Sequence, residues 1–339
     1  MRVFIVLAVL AGFLGSAGCS AEEFGPELTA EGLSRSPDGT TWRLEKSGEW
    51  SAVADSESEP GRYLLVVAEF KKLVSAGESE AAADVLAKLK ADFADVIGPG
   101  FDAFVEAEML FAGGKFDKAV RSYDRFLDTY AESELYESAL ERQFQIGTAY
   151  LGGQKRKLLK LFKVRAYGEG VKIMERIADR AGHRPIAKRA LVAAARSYEK
   201  RGKFIAGYEK WSEISSLWST GDVAREALLG MARCMHVSYR GPRYDAAGLA
   251  SARDYYQRFK LEYSTLAEEI GVDEILAQID EQIAYKQYEI GRYYDKTGSR
   301  LAANLYYQHV REDWPGSTAA RFVLQAEERG SQEAKEQKD

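Results

Sequence analysis

From Tyr63 onward small residues return at matching places along a helical pattern, and a chain that repeats in this way has few options for burying its apolar surface. The clearest copy lies near the C-terminus: Ile290-Gly291-x2-Tyr294-x3-Gly298-x4-Ala303-x3-Tyr307-x2-Val310-x4-Pro315. Gly291 and Ala303 would let two antiparallel helices approach closely, with Tyr294 and Tyr307 filling the gaps beside them. Gly298 would turn the chain between the helices, and Pro315 would stop the second one. Weaker copies keep the register at Gly77, Ala82, Leu86 and Leu89; at Gly114, Phe116, Ala119, Tyr123 and Phe126; and at Tyr198, Gly202, Phe204, Gly207, Trp211 and Ile214. Two more are interrupted. One begins at Gly147 and Tyr150 and resumes at Tyr167, Gly170, Met174 and Ile177; the other begins at Ala232 and resumes at Ala252, Tyr256 and Phe259. With only 7 Pro in 339 residues and abundant Ala, Glu, Lys and Leu, nothing in the composition opposes helix.

This pattern resembles the tetratricopeptide repeat, whose ideal period is about 34 residues. The equivalent small positions Ala82, Ala119, Gly170, Gly207, Ala252 and Ala303 are 37, 51, 37, 45 and 51 residues apart, which fits repeats carrying insertions. The fold class expected is therefore all-α: a tetratricopeptide-repeat superhelix of about five to six helix pairs, spanning residues 62–328 and ending in a disordered charged tail at 329–339. Each pair leaves an apolar face that its neighbour covers, and the stack presents a groove as its default binding surface.

Ahead of the repeats, Arg2, the apolar run Val3 to Leu14 and the small residues Gly15 to Gly18 have the pattern of a secretory signal over 1–18, too short to remain as a spanning helix. Leu14-Gly15-Ser16-Ala17-Gly18-Cys19 resembles a bacterial lipobox, with Ser16 standing where that pattern carries Leu. The resemblance implies a diacylglyceryl group on Cys19 and export to a membrane; a conventional peptidase cut near Ala17 or Ala21 is the alternative. Ser20 rather than Asp follows the cysteine, which points toward the outer membrane, with the chain facing the periplasm. Residues 19–61 are polar and suit a tether, whose r.m.s. span would be roughly 35 Å if fully flexible. Within it, Thr41 to Lys46 and Glu49 to Ser51, separated by Ser47-Gly48, could pair as a small hairpin.

The lipobox, the tether and the Tyr-rich last repeat together resemble the BamD family of lipoproteins, which belong to the outer-membrane β-barrel assembly machinery. Ala252-x3-Tyr256-x2-Phe259 looks like that family's fourth repeat. Gln282-Ile283-Ala284, Tyr288-Glu289-Ile290-Gly291-Arg292-Tyr293-Tyr294, Ala302-Ala303 and Asp313-Trp314-Pro315-Gly316-Ser317 look like its fifth. The resemblance implies a non-catalytic adaptor whose partners are the β-barrel insertase and unfolded outer-membrane proteins. The sequence departs from the repeat pattern where a closing Pro is absent, at Ala131, Ser219 and Ser264. A general envelope scaffold that coordinates cell-wall or secretion proteins is the alternative reading.

The strongest local charge anomaly is Lys155-Arg156-Lys157-Leu158-Leu159-Lys160-Leu161-Phe162-Lys163-Val164-Arg165, with six bases and no acid. As a basic amphipathic helix, with Leu158, Leu161 and Phe162 on its apolar side, it would contact a partner or an anionic membrane through Lys155, Arg156, Lys157, Lys160, Lys163 and Arg165. As an elongated repeat helix it would pack inward. The acids Glu268, Glu269, Asp273 and Glu274 suit a solvated helix face better than a metal site. Formal net charge is −5, so there is no general basic surface and nucleic acid is not an expected partner. Of the three histidines, His183 sits in a turn and His236 and His309 in helical patterns, none with a ligand-spaced partner. Gly113-Gly114-Lys115 lacks the upstream glycine of a phosphate loop, and Cys234 is read as a small buried hydrophobe. No catalytic residue, cofactor or metal is expected.

Overall fold

The computed structural model describes residues 33–35, 41–44, 50–53, 59–94, 98–133, 135–158 and 162–336. The chain forms two compact units, Met1–Ile146 and Gly147–Asp339. The first holds strands β1 (Leu33–Arg35), β2 (Thr41–Leu44) and β3 (Trp50–Val53), then helices α1 (Glu59–Ala76), α2 (Ser79–Asp92), α3 (Pro99–Ala112) and α4 (Phe116–Thr129). Helix α5 (Tyr136–Leu151) begins in it. In the second unit follow strands β4 (Lys155–Leu158) and β5 (Phe162–Arg165), then α6 (Tyr167–Ala181), α7 (Pro185–Lys200), α8 (Phe204–Leu217), α9 (Gly221–Ser238) and α10 (Ala247–Glu262). The short α11 (Ser264–Glu269) leads to α12 (Val272–Lys296), α13 (Arg300–Asp313) and α14 (Thr318–Glu336).

The fold is all-α in character and consists of successive helix pairs of the tetratricopeptide type. The six small positions fall on the second helix of each pair, and Ala82, Ala119, Gly170, Gly207, Ala252 and Ala303 are all buried. Turn glycines Gly77, Gly114, Gly202 and Gly298 have φ of 77°, 64°, 68° and 83°, a left-handed conformation that admits Gly without strain. The missing prolines have a substitute. Eleven residues after the small position stands an aromatic residue in five of the six repeats: Phe93, Tyr130, Trp218, Tyr263 and Trp314. Each is the C-cap, with φ between −123° and −135° and positive ψ, so the chain leaves the helix there whether or not a proline follows.

In the first unit Phe70, Val74, Ala82, Val105 and Ala112 form one apolar cluster and Val67, Leu89 and Phe93 a second. A charged group lies among these helices. Glu108 on α3, fully buried, accepts hydrogen bonds from Tyr123 Oη on α4 (2.6 Å) and from Arg142 Nε and Nη2 on α5 (2.9 and 3.0 Å). Arg142 Nη1 also donates to Ser75 Oγ on α1 (3.0 Å), and its guanidinium lies 4.9 Å from the Phe111 ring. Burial by itself lowers the Arg142 pKa, but the Glu108 charge and hydrogen bonds outweigh it and raise the group above its usual value.

The second unit repeats this construction on other residues. Glu199 on α7 accepts from Trp211 Nε1 on α8 and from Arg233 Nε and Nη2 on α9 (3.2 and 3.0 Å). In both cases the Arg stands 34 residues after the Glu, one repeat period on. Around this group Leu191, Trp211, Ile214, Leu228, Met231, Leu249, Tyr256 and Phe259 make the main core. Cys234 is fully buried there, and burial pushes its thiol up to about 12, as befits a packing residue.

Three expectations change. The hairpin before the repeats is present, with Leu44 opposite Trp50 and Thr41 opposite Val53, but β1 extends it to a three-stranded antiparallel sheet. Residues 155–158 and 162–165 are strands in place of the expected helix: β4 and β5 pair antiparallel, with Lys155 opposite Arg165, Arg156 opposite Val164, Lys157 opposite Lys163 and Leu158 opposite Phe162. Gly152-Gly153 ends α5, with Gly153 at φ 99°, and the backbone N–H of Ala166 donates to Gln154 O (3.3 Å), closing the ribbon at its base before a helix can continue. Finally, α14 runs to Glu336, past the sequence-based boundary at Glu328; its Glu, Gln, Ala and Lys are good helix formers, and no Pro follows Pro315.

Candidate protein-binding surfaces

The last repeat of the second unit, α12 with α13, presents more aromatic and apolar surface than its own packing uses. Gly291 brings the two helices together: a Cβ there would stand 2.6 Å from Cε1 of Tyr307, so any side chain would force them apart. Tyr307 is buried at this contact, and burial, with Asp295 behind it, pushes its hydroxyl up to about 12. Rings extend from it along the repeat. Tyr288 lies 6.0 Å from Tyr307, 5.6 Å from Phe322 on α14 and 6.0 Å from Tyr285, while Tyr294 stacks on Tyr306 at 5.6 Å and 13°.

Helix α13 packs inward through Ala303, Tyr307 and Val310. Leu301 and Leu305, one turn apart, occupy the opposite side of the helix and are 89% and 66% exposed. Tyr293, at the end of α12, is 64% exposed and stands edge-on to Tyr294 at 5.6 Å. An apolar pair on the outer side of a helix whose inner side is already filled adds nothing to the repeat core.

Close by in the same unit is a cleft of about 280 Å³ lined by Arg253 on α10, Asp280 and Ile283 on α12, and Asp313 and Trp314 at the end of α13. Its polar side chains are paired: Arg253 Nε to Asp280 Oδ1 is 2.7 Å, and His309 Nε2 to Asp313 Oδ2 is 2.8 Å. Trp314 forms an apolar wall, with His309 edge-on at 6.0 Å. The loop between α9 and α10, which interrupts the repeat that starts at Ala232, is held to α12 by Lys286 Nζ, which donates to the carbonyls of Pro242 (2.9 Å) and Tyr244 (2.7 Å). That loop carries Tyr244, half-exposed, with the Arg240 guanidinium 4.3 Å from its ring.

The other residues singled out from the sequence scatter. Cys19 and Lys160 lie outside the described residues. Lys155, Arg156 and Lys157 are on β4, and Lys163 and Arg165 on β5. Glu268, Glu269, Asp273 and Glu274 are exposed, and Asp273 pairs with Lys260 Nζ at 2.5 Å. His183 lies between α6 and α7, whereas His236 is buried on α9 and meets the Tyr256 ring at 6.3 Å; burial lowers its pKa. Among the described residues no group of three or more His, Cys, Asp or Glu could hold a metal ion, and no helix is long and apolar enough to cross a membrane. The two Glu, aromatic and Arg groups were not found from the sequence; their 34-residue spacing was the available signal.

No protein-family profile matches the chain, and no curated protein matches it. Among solved structures it is similar to the C-terminal part of a TPR repeat-containing protein from Cytophaga hutchinsonii, at 12% identity over 77% of this chain and 87% of that one, with a TM-score of 0.37. It is also similar to PilW, described as a widely conserved type IV pilus biogenesis factor, at 14% identity over 78% of this chain and 98% of that one, with a TM-score of 0.28. The fold assignment rests on the chain's own helix pairs and not on these likenesses.

Proposed function

We propose that this protein is a lipid-anchored, non-catalytic adaptor of the bacterial outer membrane, facing the periplasm and binding other proteins through its helical repeats, with the β-barrel insertase and unfolded barrel proteins as its partners. The observation that carries the reading is the pair Leu301 and Leu305, exposed on α13 beside a repeat whose rings already satisfy its core. An adaptor needs such a surface, since the binding energy of protein interfaces comes from a few apolar and aromatic anchors that a partner removes from water. The lipobox at Cys19 and the resemblance of the last repeat to the BamD family supply the location and the class of partner.

The test is affinity purification of the tagged full chain from detergent-solubilised membranes, with co-purifying proteins identified by mass spectrometry. Recovery of the barrel insertase is expected, and Leu301→Glu with Leu305→Glu should reduce it at least tenfold. Stability should change by no more than about 0.5 kcal/mol, because both side chains are exposed. Reproducible recovery of cell-wall or secretion proteins in place of the insertase overturns the assembly role and leaves a general envelope scaffold.

A further inference from the structure

Leu301 and Leu305 do not stand alone on α13. Residues four apart on a helix stack along one line, and this line continues through His309 to Asp313, with all four side chains exposed. It ends at the cleft bounded by α10, α12 and the end of α13. From Leu305 to Asp313 it runs about 12 Å along the helix. A strip that is apolar at one end and acidic at the other therefore joins the exposed leucines to a concavity in the same unit.

The cleft has the chemistry of a site for a cationic side chain. Its lining holds two carboxylates, Asp280 and Asp313, against one guanidinium, Arg253. Arg253 Nε takes up Asp280 Oδ1 and His309 Nε2 takes up Asp313 Oδ2, which leaves Asp280 Oδ2 and Asp313 Oδ1 without a partner among the described residues. Trp314, half-buried, adds an indole, the aromatic group that attracts a cation most strongly. An incoming anion would gain Arg253 but meet both carboxylates. A neutral apolar side chain would strip water from the carboxylates and return no hydrogen bond. A guanidinium suits the whole lining, because it donates to carboxylate oxygens and lies flat on an indole. The cleft volume of about 280 Å³ is room for one such side chain.

We infer that the cleft receives an arginine side chain of the protein partner that covers Leu301 and Leu305. The partner segment is an amphipathic helix laid along α13, with its apolar residues on the leucines and the arginine about two turns further on. A helix matches because its own side chains recur at the spacing of the α13 line. The inference rests on the adaptor reading for the leucines and adds to it the charge that the partner must carry.

The experiment measures binding of labelled peptides to the full chain in detergent by fluorescence anisotropy. Each peptide has about 18 residues, mostly Ala and Gln so that it can form a helix. It carries two leucines one turn apart and, two turns beyond them, Arg, Gln or Glu. The Arg peptide is expected to bind about tenfold tighter than the Gln peptide, with the Glu peptide weakest and the Arg advantage shrinking as salt is raised. Asp313→Asn, at an exposed side chain, should remove most of that advantage with the thermal midpoint and Gln-peptide binding unchanged. Asp280→Asn frees Arg253 and should move the preference toward the Glu peptide. Leu301→Glu with Leu305→Glu should weaken all three peptides alike. Equal binding of the three, a preference of the parent chain for Glu, an Arg advantage that survives both Asp variants, or binding of none overturns the inference. A dimer of the parent chain that the two Leu→Glu changes dissociate, seen by sedimentation velocity, also overturns it, since a second copy then covers the leucines. Equal binding of the three peptides that is lost in the leucine variant removes the cleft and leaves the adaptor surface standing. The adaptor reading fails separately, when the leucine variant captures the same proteins as the parent.

Discussion

Glu108 is where a single side chain has the largest leverage on the first unit. Its carboxylate is fully buried and takes hydrogen bonds from two neighbouring helices, so removing it leaves the Arg142 guanidinium buried without its counter-charge. Glu108→Ala should cost about 3–5 kcal/mol, read as a shift of the urea midpoint, while Glu108→Met with Arg142→Met should cost much less, because the desolvation penalty leaves together with the attraction. If the double variant is as unstable as the single one, the group acts through packing and not through charge. Glu199 and Arg233, more exposed at 19% and 36% of their side chains, should show the same ordering with a smaller loss. The two groups were hard to find in the sequence for a physical reason. Each consists of common residue types, in a chain with 52 acids and 47 bases, and only the fold shows which Glu is enclosed. Cys234 was the contrary case: its helical setting was enough to mark it as a buried small residue, and it is one.

Individual elements were legible where backbone conformation dictates the residue type. Turn glycines at Gly77, Gly114, Gly202 and Gly298 and the small positions from Ala82 to Ala303 are visible because few side chains fit a left-handed turn or a close helix crossing. The ends of the second helices were less visible, since the aromatic C-caps Tyr130, Trp218 and Tyr263 look like ordinary core residues until the absent prolines are explained. The ribbon was misjudged because Lys, Arg and Leu all favour helix; the paired glycines ahead of it and the closure of its base at Ala166 outweigh that local preference. Close crossings make a sharp prediction at α9. A Cβ on Gly230 would stand 2.5 Å from the Trp211 indole, whereas one on Gly168, in the first turn of α6, would meet nothing within 4 Å. Gly230→Ala should destabilise by about 1–3 kcal/mol through overpacking. Gly168→Ala should be neutral or stabilise by about 0.5–1 kcal/mol, since Ala loses less backbone entropy in a helix. Equal urea midpoints for the two variants would mean that α8 and α9 separate more easily than their contact implies.

For the whole molecule, the all-α repeat character could be read from the sequence, but its division at Ile146 could not. The helical pattern of α5 continues across that point, and the break reflects which helices bury one another rather than any change in composition. The path to the membrane is a property of the same scale. Strands β1 to β3 take up part of the segment between Cys19 and α1, so the anchor proposed at Cys19 would have a shorter reach than the roughly 35 Å of a fully flexible tether. On that proposal the shorter reach would keep the helical units closer to lipid, held by a salt-insensitive contact through acyl chains. Such a contact does not respond to ionic strength, because salt screens exposed charges over about 10 Å at 0.1 M while buried methylenes are unaffected. Fractionated cells should therefore hold the parent chain in the membrane pellet at low and high salt. Cys19→Ala should leave the pellet at both. A Cys19→Ala chain that stays in the pellet at high salt would show that acyl chains on Cys19 are not what holds the protein there.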